Sequence, residues 1–518
     1  MGLPENKSAW PPAEHTERYS RMATNSTWYG GDPAHLAAMY GGNVGARTEV
    51  QNGLKFAISR VFGWFWGKTD PTAPDDKLHV PVAQDIATMS ADLLFADSPT
   101  FLVQHTEFTE DGTPNPGQDA AVAKTQARLD LLLDNCNFES LLLASAEVAS
   151  ALGSTGLRLG WDRTSGMDMP VITRVDADAI IPEYSWGQLA AVTFWQVVKR
   201  DNSTVWYHLE RHERGAIYHG LYMGERGNLG VRVPLDEVQA TARLAKLVDE
   251  DSKIVVEADT TAVSIPNMLP DPLDRMNGAG RSDFTPGVIT LFDSIDKTYT
   301  SLMRDIEDAR SRLIVADYML ESKGAGNGVE FDADQHIFTK LKMQPGDDSE
   351  APITQVQFKI RVEEHIAAID LLTRAAIENA GYTPDAERAN SGGEMTATEY
   401  SGKQKRSLTT RKKKLRYWQD VEKLMFGLLQ VDAAYFSSGV VPFPVKMVVA
   451  PSVQPSMSEL AATVALIQQA EASSLRVRVA YLHPDWDEVK INTEVDDIQA
   501  ESSTIDPATF GLPTGGNV

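Results

Sequence analysis

The sequence predicts an α+β fold, and three observations carry that prediction. Several stretches repeat apolar residues at three- and four-residue steps, the period of a helix with one buried face. A central block, about residues 156–256, instead alternates apolar and polar residues between turns rich in Gly, Asp and Asn, the pattern of an antiparallel meander. No run of apolar residues reaches the length that spans a bilayer, so the helices are expected to build a core of their own.

In chain order, residues 1–24 are polar and proline-bearing and read as a disordered segment or flexible arm. Helical patterns follow at 32–40 and 82–95. A third runs unbroken over 120–152, with Leu129, Leu132, Leu133, Cys136, Leu141 and Leu142 on its apolar side; Gly153 and Gly156 end it. Strands begin with Leu157, Leu159 and Trp161, turn over 163–168, resume at 171–175 and continue at 190–199, 204–213 and 216–223. Pro270, Pro272, Gly278 and Gly280 make 267–281 a loop or hinge.

Two long helices come next. The first, 286–313, opens on Pro286, where a missing amide hydrogen is tolerated, and carries Val288, Leu291, Ile295, Tyr299, Leu302 and Ile306 as a stripe. The second, 356–380, places Val362, Ile366, Ile369, Thr373, Ala376 and Ala380 on one side and stops at Gly381. Each is expected to be roughly 35–40 Å long at 1.5 Å per residue. Asp293, Asp296 and Asp308 on the first helix are expected to face away from its apolar stripe. Between the helices lies an insertion, about 316–353, with glycines at 324, 326 and 328 and a strand at 337–341.

Residues 381–395, with Pro384, Asn390, Gly392 and Gly393, read as a mobile loop. A third long helix spans 396–431, its start marked by Thr396 followed three residues later by Glu399. The C-terminal part is a small helical unit, 458–473, 474–481 and 489–501, before a frayed tail from 504.

The 518 residues suffice for a large core and more than one domain, and 42% hydrophobic with 23% charged residues is ordinary for a globular chain. A formal charge of -24 argues against a protein that grips nucleic acid over its whole surface; a wall that DNA passes without sticking and a plain soluble acidic protein fit it equally, so charge alone does not decide between them. Cys136 alone cannot form an intrachain disulfide, which suits a reducing cytoplasm, and a core thiol is its plainest role. The first ten residues carry Pro4 and Glu5 where a signal peptide needs an apolar stretch, and Asn6 where a myristoylation motif needs Ser or Thr. The chain is therefore expected to be soluble and intracellular when made.

Motifs for chemistry are absent. No G-x-x-x-x-G-K-[ST] loop, H-E-x-x-H or paired C-x-x-C occurs, and no catalytic residue, metal site or cofactor is expected. The best metal candidate is His208, Glu210 and His212, which share one face of a strand. The solvated face of a half-buried strand, with Tyr207 and Leu209 opposite, is the preferred reading. The pairs Asp176/Asp178 and Asp332/Asp334 alternate as strand surfaces do. The sharpest anomaly is a reversal of sign. Lys403, Lys405, Arg406, Arg411, Lys412, Lys413, Lys414 and Arg416 fall together, with no acidic residue from Tyr400 to Gln419. A solvated helix face is one reading; contact with DNA phosphates or with acidic surfaces of a neighbouring subunit is the other.

The order long helix, small insertion, long helix, loop, long helix, helical C-terminus resembles the subunits of tailed-bacteriophage portal proteins. So does the wording of LHVPVAQDIATMSADLLFAD (78–97), GRSDFTPGVITLFDSIDKTYTSLMRDI (280–306), TQVQFKIRVEEH (354–365), TATEYSGKQKRSLTTRKKKLRYW (396–418) and HPDWDEVKINTEVDDIQAE (483–501), which is similar to portals of actinobacterial siphophages. The resemblance covers about residues 28–501. It implies a portal fold with 25–284 and 396–454 as the wing, 285–313 and 354–380 as the stem, 314–353 as the clip, 381–395 as the tunnel loop and 455–518 as the crown with its tail. It further implies a ring, typically of twelve copies, at one capsid vertex of the virion, assembled in the host cytoplasm with major capsid and scaffolding proteins, with no membrane and no enzymatic activity. Double-stranded DNA is expected to pass Thr383, Asp385, Glu387, Arg388, Asn390, Ser391 and Glu394 of the tunnel loop. Lys323, Gly326, Asn327, Lys340 and Lys342 of the clip are expected to meet the terminase large subunit and later the head-completion proteins. The competing readings are an acidic cytoplasmic hydrolase with a dispersed site, and another minor capsid protein.

Overall fold

The computed structural model describes residues 2–40, 77–109, 114–162, 167–275, 278–308, 312–316, 339–341, 354–356, 361–384, 404–450, 457–470, 473–483 and 488–504. The chain divides into two compact units, Met1–Pro384 with Thr409–Ala450, and Asp385–Leu408 with Pro451–Val518.

The first unit opens with α1 (Thr16–Gly30) and α2 (Pro33–Tyr40), followed by α3 (Val82–Phe95), β1 (Thr100–Val103), α4 (Asp119–Asn135) and α5 (Phe138–Leu152). The single helix expected over 120–152 is thus broken. Asn137 adopts a left-handed conformation (φ 47°), which Asn tolerates better than most residues, and turns the chain between α4 and α5. Gly153, at φ 96°, closes α5 and lies so near the backbone of Arg281 and Ser282 that a Cβ would collide with it.

Two antiparallel sheets follow. Strands β2 (Ser154–Gly160), β3 (Val171–Asp176) and β10 (Ala262–Pro266) form one, ordered β10-β2-β3. Strands β4 (Ile180–Ser185), β5 (Gln188–Asp201), β6 (Thr204–Glu213), β7 (Ala216–Glu225) and β8 (Asn228–Val233) form the expected meander, with short β9 (Lys253–Val255) added on β7. One face of the meander packs Ile180, Val192 and Phe194 against Ala262 of the small sheet. Its other face, with Tyr207, Leu209 and Tyr222, is closed by Trp10 and Tyr19.

That closure corrects the expectation of a flexible arm over 1–24. The Leu229 amide donates to the Ser8 carbonyl (3.0 Å), the Trp10 amide to Gly227 (3.0 Å), and the Tyr222 hydroxyl to Pro4 (2.6 Å). Trp10 and Tyr19 are buried. A segment polar on average becomes ordered because two aromatic rings and a row of backbone bonds are enough to fix it.

The long helices are α6 (Pro286–Asp308) and α7 (Val362–Ala380), of 23 and 19 residues, both shorter than expected. Between them stands a small sheet ordered β12-β11-β13, built of β11 (Arg312–Ala316), β12 (Thr339–Leu341) and β13 (Thr354–Val356). Strands replace the helix ends because Leu313, Ile314 and Val315 are mostly β-branched, and because Thr354 and Val356 form a rung against Arg312 and Ile314. The body is completed by α8 (Lys405–Trp418), α9 (Asp420–Phe436) and β14 (Val445–Val448), the last paired with β1. The start of the helix expected over 396–431, Thr396 and Glu399 included, lies outside the described residues; the rest is two helices meeting at Gln419, and α9 runs five residues further.

Two main cores fill this unit. Trp28, Ile86, Val288, Phe292, Ile295 and Ala376 bring α1, α3, α6 and α7 together. Leu129, Leu142, Leu157, Ile265, Trp418 and Leu424 join α4, α5, β2, β10, α8 and α9. Gly427 permits the second: a Cβ there would lie 1.8 Å from the Thr260 carbonyl oxygen. In the second unit, α10 (Met457–Gln469), α11 (Leu475–Leu482) and α12 (Glu488–Thr504) follow one another as the sequence predicts, with Ser474 capping α11.

Candidate functional site

The root of the helix pair is a buried polar cluster. Asp283 lies three residues before α6 and Tyr382 two residues after α7; Lys414 comes from α8. The Lys414 ammonium donates to Asp283 Oδ2 (2.6 Å), to the Ser90 hydroxyl (2.8 Å) and to the Tyr382 hydroxyl (2.7 Å). Asp283 also accepts from the hydroxyls of Tyr382 (2.8 Å) and Ser150 (2.6 Å) and from the Asn267 amide (2.9 Å). Lys414 is 1% exposed and Tyr382 0%, so this is an ion pair inside the protein, fully supplied with hydrogen bonds. Burial pulls the Lys414 ammonium below its ordinary range while the Asp283 carboxylate works the other way, and burial pushes the Tyr382 phenol well up.

From this root the two helices run antiparallel. At the far end Asp305 of α6 meets Arg361 (3.1 Å) and His365 (3.0 Å), the residues that open α7. The near half of α6 is held in the core by Val288, Phe292 and Ile295. Asp296 is held there too, against expectation. It accepts from the Val80 amide (2.8 Å) and pairs with His79 (2.8 Å), because the segment before α3 crosses this face of the helix and needs an acceptor. Asp293 is half-buried, and the side chain of Asp308 lies outside the described residues. Further out the pair shows apolar side chains to solvent: Tyr299, Met303 and Ile306 on α6, and Val362, Ile366 and Leu371 on α7, Leu371 at 68%.

Most sequence-predicted site residues lie outside the described residues: Asp385, Glu387, Arg388, Asn390, Ser391 and Glu394 of the loop, Lys403, and Lys323, Gly326, Asn327 and Lys342 of the insertion. Lys340 is on β12, and Thr383 is half-buried next to Tyr382. The basic run separates into two groups. Arg411 and Lys414 turn inward and are unavailable to any partner. Arg411 donates to the carbonyls of Leu93 (2.7 Å) and Ala450 (2.9 Å), and Lys414 joins the cluster above. Lys405, Arg406, Lys412, Lys413 and Arg416 are exposed.

The triplet His208, Glu210 and His212 does share a face of β6, but that face is buried rather than solvated. Glu210 pairs with Arg158 (2.5 Å) and with His212 Nε2 (2.8 Å), His212 Nδ1 meets the Thr261 hydroxyl (2.8 Å), and His208 meets His219 of β7 (3.3 Å). These groups spend their polar atoms on one another, and no metal-holding group of three His, Cys, Asp or Glu occurs among the described residues. Burial lowers His219 to about 4 and lowers His208 in the same direction. Asp178, expected on a strand surface, sits in a short turn where burial raises its carboxyl. The Cys136 thiol donates to the Leu132 carbonyl (3.3 Å), and burial raises its pKa, which disfavours a nucleophilic thiolate.

Sequence reasoning missed Asp283, Asn267 and the inward role of Lys414. A signal for the last exists: Thr410, Lys414 and Trp418 lie four residues apart, hence on one helix face, and Trp418 marks that face as internal.

A family model described as phage portal protein, SPP1 Gp6-like, matches residues 9–508. No curated protein matches the chain. Among solved structures, a chain in the neck of an empty GTA particle computed with C6 symmetry is similar at a TM-score of 0.41 and 12% identity, covering 79% of this chain and 91% of that one.

Proposed function

The chain belongs to the phage portal protein family of the SPP1 Gp6-like type, and from that membership we propose that it forms a ring whose axis is a channel for double-stranded DNA at one capsid vertex. The observation that carries the reading is the extent of the family match, residues 9–508, which takes in both compact units and both long helices.

In this reading the body, residues 25–284 with 396–454, is the wing, 285–313 and 354–380 with α6 and α7 are the stem, and 314–353, with β12 and most of β11, is the clip. Residues 381–395 are the tunnel loop and 455–518 the crown. The apolar side chains left in solvent on the outer part of the stem, Ile306, Ile366 and Leu371 among them, suit contact with the next copy around the ring. The polar root suits a stem that must keep its angle: a buried ion pair whose carboxylate also accepts from Ser150, Asn267 and Tyr382 tolerates few alternative arrangements.

The ring docks the terminase large subunit during packaging and head-completion proteins afterwards, and the terminase, not this chain, hydrolyses ATP. A loop of Asp385, Glu387, Arg388 and Asn390 with Gly392 and Gly393 suits brief contact with a moving polyanion, since tight binding would stall it. Replacing residues 385–395 with a short Gly-Ser linker is expected to leave rings intact under electron microscopy and to reduce DNA packaged per head. Normal packaging by that variant would contradict the tunnel-loop assignment.

A further inference from the structure

The exposed side of α8 after its first turn consists of Thr409, Lys412, Lys413 and Arg416, with Gln419 just beyond the helix. Three cations and no apolar side chain occupy it. Among the described residues, none pairs with Lys412, Lys413 or Arg416. The opposite side of the same helix is fixed by Arg411 on the carbonyls of Leu93 and Ala450, by Lys414 on Asp283, and by Trp418, which is 1% exposed. The helix is thus a rigid mount, held by its inward cations, that presents its outward cations as a fixed stripe. In a chain of net charge -24 such a stripe is a local exception.

The geometry points to Lys412, Lys413 and Arg416 as a contact for the phosphate backbone of double-stranded DNA. Two considerations favour DNA over an acidic surface of a second copy. Contacts between subunits bury a central apolar or aromatic patch and are depleted in lysine, whereas this stripe has two lysines and no apolar centre. The chain also offers such apolar patches elsewhere, on the outer part of α6 and α7. Phosphate contact needs only mobile cations on a firm support, and it reads no base sequence. A small number of cations on an otherwise acidic protein makes a weak, salt-sensitive contact, the kind that guides a duplex without holding it.

The inference rests on the channel reading, and one experiment separates the two. The full-length protein and the K412Q/K413Q/R416Q variant are purified. Ring formation is followed by electron microscopy, and binding of a fluorescent random-sequence duplex is followed by anisotropy over a series of NaCl concentrations. The expected result is that both proteins form rings, and that the variant binds at least about tenfold more weakly near 0.1 M salt, with the slope of log K against log [salt] shallower by about 2–3, near 0.9 for each phosphate that is no longer neutralised. Rings of both proteins with equal slopes, or no measurable binding by the unsubstituted ring at low salt, would overturn the inference and leave the channel reading standing. Loss of rings in the variant alone would assign the stripe to a second copy and overturn it too. Absence of rings in the unsubstituted protein would remove the channel reading, and the inference with it.

Discussion

Lys414 is the residue on which the sequence and the structure differ most instructively. In the sequence it is one of eight cations in a basic run; in the fold it is buried beside Asp283, Ser90 and Tyr382. Removing it leaves a carboxylate inside the protein without its counter-charge. Lys414→Met is expected to cost about 3–5 kcal/mol of stability, and K414M/D283N to recover much of that loss, both read from urea unfolding. A loss in the double variant equal to the sum of the losses in K414M and D283N alone would show that the pair is not coupled. A second residue-scale consequence concerns acid. His219 is held near 4, below the ordinary histidine value of about 6.5, so the unfolded chain takes up a proton that the folded chain refuses between those values. The stability it carries is complete above about pH 6.5 and falls as pH drops toward 4, by about 3 kcal/mol, with His208 acting in the same direction. Melting temperature against pH is therefore expected to fall across that window, and less steeply in His219→Gln.

At the scale of elements, periodicity located the helices well and their ends poorly. α3 was legible to the residue, because Val82, Ile86, Leu93 and Leu94 repeat cleanly and no β-branched run follows. α6 and α7 were overextended, because Leu313–Ile314–Val315 and Thr354–Gln355–Val356 pair as strands once each has the other as a partner, and partners are not visible in a local pattern. The break at Asn137 was missed for the same kind of reason: Asn is an acceptable helix residue, and only the packing of α4 and α5 makes the left-handed turn worthwhile. The N-terminal segment was misread because its two anchors, Trp10 and Tyr19, are nine residues apart and carry no period. Their contacts are the test. Trp10→Ala is expected to destabilise the protein by about 3–5 kcal/mol in thermal or urea unfolding, whereas a flexible arm would tolerate the change.

For the whole molecule, charge and composition excluded more than they identified. They argued against a broad basic binder, and the family match then placed the chain among phage portals. The candidate site was half legible. The helix pair, the loop after it and the basic run stand out in the sequence; the polar root does not, since Asp283, Tyr382 and Lys414 are up to 131 positions apart and meet only through the fold. The antiparallel pair, rooted in that cluster and bearing unpartnered apolar side chains farther out, is the feature the ring reading depends on. Electron microscopy of the purified full-length protein tests it most directly. Closed annular particles with an open centre, built from copies that touch along α6 and α7, are the expected result. A population of single subunits at every salt and protein concentration would contradict the account.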